Sequence, residues 1–254
     1  MLRLTLILIA LTTMSATAAA APKEVRVGGY LFPPFIQIQG QQVSGLTIGM
    51  IELFNEQQSD YHFSFIPTSP KRRYNDFKRG MFDVIFFENI EWGWQDYNLL
   101  SSDVFLSGGE VFFTRNQKGI NQSYFENLTN KRIVAILGYH YKFADNITDS
   151  DQLKQQFDIR LVNSPKTVIN QVLNGKADLG ISTYSYLQDQ MKLNPVLNEK
   201  IFISEKFDQT YQHRVLLRKN GPLTAEEMNH LLSAIQNNGT LQKLLAKYGL
   251  TPLR

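Results

Sequence analysis

FKRGMFDVIFFENIEWGWQD, residues 77–96, decides how the chain is read. A short segment ends at Gly80, and FDVIFF then runs almost uninterrupted as apolar residues, the composition of a strand buried on both faces of a parallel sheet. Where that strand emerges the sequence places Glu88, Asn89, Glu91, Trp92 and Trp94. A core has no use for the carboxylates and an ordinary surface little use for the tryptophans, which leaves open what this end of the strand faces. The phrase returns in VLNGKADLGI, residues 172–181, with Gly175 and Asp178 standing as Gly80 and Asp83 stand in the first copy. Helix, Gly-x-x-Asp, strand, written twice, predicts two α/β lobes of similar construction.

Working outward, KEVRVGGY alternates Val25 and Val27 and stops at a glycine pair, a short strand entering a loop. Ser44 is placed to cap a helix whose Leu46, Met50, Ile51 and Phe54 share one face. YHFSFIP alternates again, so strand, helix and strand follow in the order of a parallel βαβ unit. A short helix is predicted over residues 72–79. In the second half KRIVAIL opens a fresh strand into GYHYKF, and Ser164 with Pro165 starts a helix that stops near Gly175. The composition changes at Arg115 and Asn116, where a lobe boundary is expected. Thr224 and Glu227 form a capping box before one C-terminal helix, and TLQKLLAKYGL supplies another; both carry a packing face and are expected to return to the first lobe.

With 254 residues, 43% of them hydrophobic, the chain can bury a sizeable core. A formal charge of +3, no basic run longer than PKRR and no zinc-finger or RNA-binding motif argue against a nucleic-acid partner. The N-terminal stretch has Arg3, an apolar run from Leu4 to Leu11 and small residues through Ala21, which reads as a secretory signal peptide cleaved after Ala20. The sequence has no cysteine, so it offers neither disulfides nor a lipid-anchoring thiol, and a soluble periplasmic product is expected. The sequons at Asn121, Asn127, Asn146 and Asn238 read as chance in an asparagine-rich chain.

The order of these pieces resembles the bacterial periplasmic solute-binding proteins, specifically the polar amino-acid binding components of ABC importers, extracellular solute-binding family 3. The residues that carry the likeness are VRVGGYLFPPF with SGLTIGMIELFNE, PTSPKRRYNDFKRGMFDVI, LLSSDVFLSGGEVFF, KRIVAILGYHY, VINQVLNGKADLGIS and IQNNGTLQKLLAKYGL. The resemblance implies a type II, two-lobed α/β fold with a parallel-type mixed sheet in each lobe, a ligand cleft between the lobes and two crossing strands. On that pattern residues 1–20 are the signal peptide, 21–112 plus 210–254 the first lobe, 117–203 the second, and 113–116 and 204–209 the hinge crossings. It also implies a monomer that closes over a small-molecule ligand without a cofactor and docks on a membrane permease, or on a membrane receptor if it serves sensing.

The resemblance also shows where this chain departs. The arginine with which amino-acid binders of this type clamp the ligand carboxylate falls on Gln95. The aspartate that accepts the ligand ammonium falls on Thr183, and the anion-contacting turn is GYH, with His140 at its end. An ordinary α-amino acid is therefore disfavoured unless Arg72 or Arg73 supplies a substitute clamp. Tyr30, Phe35, Trp92, Trp94, Tyr139, Tyr141 and Tyr184 fall in or near loops that should line the cleft and suit a ligand with a ring or an apolar body. A chain with 17 Phe and 11 Tyr also packs some of them beneath loops. Glu88 and Asn89 can accept hydrogen bonds from a ligand amine or hydroxyl, or Glu88 can pair with Arg72 or Arg73 and hold its loop. His62, His140, His213 and His230 are scattered without metal-ligand spacing, and no GxSxG or phosphate-binding loop is present. Solute binding without chemistry is the leading reading; a cleft enzyme dehydrating an organic acid, with Glu88 as its acid, is the catalytic alternative.

Overall fold

The computed structural model describes residues 21–250, so the signal-peptide reading of residues 1–20 lies outside the described residues. The chain opens with β1 (Lys23–Gly29), a hairpin of β2 (Gln37–Gln39) and β3 (Gln42–Ser44), α1 (Leu46–Gln57) and β4 (Tyr61–Pro67). β4 lies parallel to β1 over its whole length, from Lys23 opposite Tyr61 to Gly29 opposite Pro67. Then come α2 (Arg73–Lys78), β5 (Val84–Glu88), β6 (Leu99–Ser101) and β7 (Leu106–Arg115). Ser44 does not cap α1. It ends the hairpin opposite Gln37, and the helix begins after Gly45, whose φ is 118°. The carbonyls of Pro34 and Phe35 receive the Leu46 and Thr47 N–H groups at 3.2 and 2.9 Å, doing the work expected of a capping side chain. A Cβ on Gly45 would stand 2.6 Å from the Phe35 carbonyl oxygen, so only glycine closes this approach.

The second half comprises β8 (Ile133–Ile136), α3 (Ser150–Gln156), β9 (Ile159–Val162), α4 (Pro165–Leu173), β10 (Leu179–Thr183), α5 (Tyr184–Leu193) and the short α6 (Leu197–Lys200). It ends with the long β11 (Ile201–Arg218), α7 (Ala225–Asn237) and α8 (Thr240–Lys247). Ser164 and Pro165 start α4, and Thr224 and Glu227 form their capping box on α7, as the sequence predicts. α7 and α8 return to the first half, where Gln57 of α1 bonds Thr240 and Asn238.

The two Gly-x-x-Asp phrases have one structural job. Asp83, just before β5, accepts the Arg26 backbone N–H, Nε and Nη2 at 3.0, 2.9 and 2.7 Å, while its own N–H donates to the Arg26 carbonyl. Asp178, just before β10, does the same with Arg132 at 2.9, 3.0 and 2.7 Å. In each case a carboxylate locks the incoming strand to its parallel neighbour, β1 in one half and β8 in the other.

The strand order is β4-β1-β5-β11-β7-β10-β8-β9, with β6 beside β11. Each lobe therefore has a parallel set flanked by one antiparallel strand, β11 against β5 and β7 against β10. This is the two-lobed α/β architecture with a mixed sheet in each lobe. Glu110 to Phe113 of β7 already pair with β10, and Arg214 to Leu217 of β11 pair with β5. In between, Leu106, Ser107, Gly108 and Gly109 face His213, Gln212, Tyr211 and Thr210. By strand pairing the crossing thus lies earlier on β7 and later on β11 than the segments 113–116 and 204–209 read from the sequence. The polar change at Arg115 and Asn116 marks where β7 ends, not where it leaves its lobe.

Burial alone would raise the Asp83 carboxyl, but the Arg26 donors hold it below its ordinary value of 3.8. Hydrogen bonding to Arg132 likewise lowers Asp178. A depressed carboxylate contributes stability above its unfolded value and loses it as pH falls through the folded one. The urea midpoint of the parent is therefore expected to drop as pH is taken below 4, and that of Asp83→Asn to drop less. At neutral pH Asp83→Ala should cost about 1.5–3 kcal/mol, the range for hydrogen bonds to a charged group, measured by urea denaturation.

Candidate functional site

The carboxyl ends of β1 and β5 and the turns that follow them build one wall of a cleft. Tyr30 follows β1, and Phe32 and Phe35 occupy the next turn, all nearly inaccessible to solvent. Phe35 packs on Phe87 and His213 with ring centres 4.5 and 4.6 Å away, and Phe32 lies above it at 4.8 Å. Phe87 has φ of 58°, the left-handed region that a bulky residue rarely adopts. Its carbonyl meets His213 Nδ1 at 2.8 Å, and since a carbonyl only accepts, Nδ1 carries the proton. The irregular pairing of β5 with β11 at this point leaves Glu88 with no exposed surface.

Glu88 faces Arg73, the first residue of α2, with Nε and Oε1 3.4 Å apart. Both are essentially buried. The second Glu88 oxygen accepts the Trp94 indole N–H at 2.6 Å, and the guanidinium donates to the Pro70 carbonyl. The faces of Tyr74 and Tyr30 lie 4.3 and 4.8 Å from the guanidinium carbon. Burial works most strongly against the Arg73 charge, but the Glu88 carboxylate together with the surrounding Tyr30, Tyr74 and Tyr139 outweighs it and holds the guanidinium above its ordinary value. Burial pushes Glu88 up, and Arg73 and the Trp94 donor offset only part of that, so the carboxyl stays above its ordinary value. The cation persists, and the carboxyl is tied to it.

The opposite wall belongs to the second lobe. Gly138, Tyr139 and His140 follow β8, and Glu110 projects from β7 where it pairs with Thr183 of β10. Glu110 is 2% exposed and its Oε2 accepts Gln209 Nε2 at 2.6 Å; burial pushes its carboxyl up to about 8. Burial and the nearby Arg73 charge take His140 down to about 3, and burial takes His213 down to about 3, so both imidazoles are neutral at pH 7.

The walls touch directly. Tyr139 Oη donates to the Leu31 carbonyl at 2.8 Å, Thr183 Oγ1 to the Pro33 carbonyl at 3.4 Å, and Trp92 Nε1 to Gln209 Oε1 at 3.5 Å. Gln209 also donates to the His140 carbonyl. Among Tyr30, Phe32, Arg73, Trp92, Glu110, Gly138, Tyr139 and His140 the remaining cavity is about 10 Å³, room for about one water molecule. A hollow of about 510 Å³ lies outside the first lobe near Phe54, Tyr61 and Leu231, but both of its sides belong to one lobe, so lobe closure does not act on it.

Of the residues singled out from the sequence, Tyr30, Arg73, Trp92, Tyr139 and His140 meet around this cavity. Phe35, Glu88 and Trp94 stand directly behind it, Trp94 against Tyr74 and Phe77 within its own lobe. Asn89 is half-buried and its carbonyl takes the Trp92 N–H, shaping the turn. Thr183 reaches the facing lobe but spends its hydroxyl on Pro33. Arg72 points outward, 67% exposed and 4.0 Å from Asp76, because α2 turns only one of the paired arginines inward. Tyr184 is 41% exposed and packs on Phe207 behind the crossing strands. Gln95, at the family clamp position, is exposed. Sequence reasoning missed Phe32, Glu110, Gln209 and His213. A lone carboxylate between a glycine pair and the apolar VFF was the available signal for Glu110.

The family described as bacterial extracellular solute-binding proteins, family 3, matches residues 25–251. Comparison with curated proteins found no match. Among solved structures, the GluR0 ligand-binding core from Nostoc punctiforme in complex with L-glutamate is 18% identical, covers 89% of this chain and 99% of its own, and has a TM-score of 0.68. An ancestral arginine-binding protein bound to arginine is 18% identical over 91% of this chain and 100% of its own, with a TM-score of 0.70. The arginine-, lysine-, histidine-binding protein ArtJ from Geobacillus stearothermophilus is 18% identical, covering 89% and 95%, at 0.66. At these identities the likeness to solved structures is one of fold.

Removing one member of a buried ion pair strands the other in a medium that cannot solvate it. Arg73→Ala and Glu88→Ala are each expected to lower stability by about 3–5 kcal/mol, and the apolar double replacement Arg73→Met with Glu88→Leu to recover most of it. Urea denaturation of the three variants measures both effects.

Proposed function

The chain belongs to the bacterial extracellular solute-binding proteins, family 3, a family of binding proteins rather than enzymes, and from that premise we propose that it works in the periplasm by closing its lobes over a small organic solute. It presents the closed form to the membrane permease of an ABC-type importer. The lobes turn about the paired stretches 106–109 and 210–213, where among the described residues β7 and β11 pair only with each other. Gly108 and Gly109 let the Tyr211 and Phe207 rings lie against these stretches, because a Cβ on either would stand 2.3 Å from the ring.

We propose further that the solute is not an ordinary α-amino acid. Relatives of the same fold bind glutamate, arginine, lysine or histidine, and an α-carboxylate in such a site needs a free cationic clamp. Here Arg73, the arginine that borders the cleft among the described residues, already has its charge answered by Glu88, 3.4 Å from its Nε with neither group exposed. That observation carries the reading. Gln95 faces solvent and the Thr183 hydroxyl is occupied, which supports it. A ligand entering between Tyr30, Phe32, Trp92 and Tyr139 meets rings, the partners of a flat or apolar body.

Calorimetry against the twenty amino acids is expected to show no sub-micromolar binding, and mass spectrometry of material released on denaturing the purified protein to show a solute of another class. Tight binding of glutamate, arginine or glutamine would overturn the ligand assignment. Trp92→Ala should weaken binding of the released solute by about 1–3 kcal/mol, as for a buried aromatic contact. A tryptophan that serves only its own loop would instead lower the melting temperature and leave affinity unchanged.

A further inference from the structure

The charges around the cleft do not balance in the way an amino-acid site would need. Arg73 and Glu88 answer each other. Glu110, on the facing wall, has no cationic partner among the described residues: Gln209 holds one of its oxygens, and the other has no hydrogen-bond partner there. Around the same cavity stand rings set nearly at right angles. Phe32 meets Trp92 at 84° and Tyr139 at 83°, and Tyr30 meets Tyr139 at 82°. Aromatic rings packed edge to face around one cavity, with a carboxyl beside them, offer π faces and a counter-charge, the chemistry that recognises a positive charge. Resting on the solute-binding reading above, we propose that the cleft selects an organic cation without a carboxylate, its ammonium seated among Phe32, Trp92 and Tyr139 with Glu110 as counter-ion.

The groups facing Glu110 support that role. Across the ladder is Thr183, which is neutral. From β11 come Gln209, Asp208 and Tyr211; Asp208 opposes ionisation of Glu110, and burial keeps the Tyr211 phenol protonated. After β8 come Tyr139, Tyr141 and His140, the phenols protonated and the imidazole neutral. Across the cavity stand Trp92 and Arg73, and the Arg73 charge is held by Glu88. Among these groups Glu110 is the carboxyl that lines the cavity: it keeps its proton up to about pH 8 and gives it up when a cation takes the proton's place. The O–H bond breaks, the proton leaves to solvent, and the carboxylate remains beside the ammonium. A ligand carboxylate would instead meet Glu110, and the Arg73 charge at the cavity is already answered by Glu88.

Because the cation binds the ionised carboxyl, affinity should rise with pH toward about 8 and level above it. The test is calorimetry of the purified protein with phenethylammonium chloride and choline chloride, against phenylalanine and 2-phenylethanol, in phosphate and in Tris at pH 7. At least one ammonium probe is expected to bind about tenfold or more tighter than phenylalanine and 2-phenylethanol. The difference in heat between the buffers should report release of nearly one proton. Glu110→Gln should weaken that probe about tenfold or more and abolish the buffer dependence. Its urea midpoint at pH 7 should be no lower than the parent's. The raised carboxyl favours the fold below its ordinary value of 4.5, and that contribution is lost as pH rises toward about 8.

Phenylalanine binding as tightly as phenethylammonium, binding of 2-phenylethanol alone, or cation binding without proton release and indifferent to Glu110→Gln would each overturn the inference. A zwitterionic or anionic solute released from the same preparation on denaturation would also overturn it, and would leave the solute-binding reading standing. A protein that neither carries nor closes on any solute would count against both.

Discussion

A guanidinium with almost no access to water has to be answered where it stands, and much of the cleft follows from how Arg73 is answered. Glu88 reaches it because the strand before it takes a left-handed step at Phe87 and leaves the regular ladder. Trp94 has to donate to the far oxygen of that carboxylate, which draws the 90–97 loop down onto α2. Tyr30 and Tyr74 cover the faces of the cation. Residues that look in sequence like a row of independent ligand contacts belong mostly to a single electrostatic assembly. Desolvating both charges makes such a pair weak as a source of net stability and strict as a constraint on geometry.

The same constraint explains what could and could not be read from the sequence. The lobes were legible because their signals are local: Gly80 and Asp83, and again Gly175 and Asp178, each specify a helix stop and a strand start within four residues of chain. The structure gives both aspartates the same fork onto the neighbouring strand. Caps at Ser164 and Thr224 were legible for the same reason. Ser44 misled because a hairpin competed for it, and Pro34 and Phe35, ten residues upstream, supplied the acceptors instead.

In the cleft, local signals run out. Trp92 and Trp94 are equally prominent in sequence, yet one borders the cavity and the other closes an internal bond, because the tight turn at Gly93 sends them different ways. Arg72 and Arg73 differ only by a step along α2, and that step decides between solvent and burial. Glu110 and Gln209 acquire their meaning from each other across two strands that are far apart in the chain. Such pairings are properties of the crossing strands, and a reading by position along the sequence does not reach them.

The direct bonds across the cleft, from Tyr139 to Leu31, from Thr183 to Pro33 and from Trp92 to Gln209, have a kinetic meaning as well. With rings and backbone carbonyls meeting face to face, a solute gains entry only after these contacts release, so arrival is gated by the protein's own breathing rather than by diffusion alone. Raising the solute concentration would then speed capture only until parting of the lobes becomes the slow step. The fraction of molecules ajar at any instant scales the apparent affinity. Departure passes through the same gate, and a molecule built this way trades quick equilibration for long retention of what it carries.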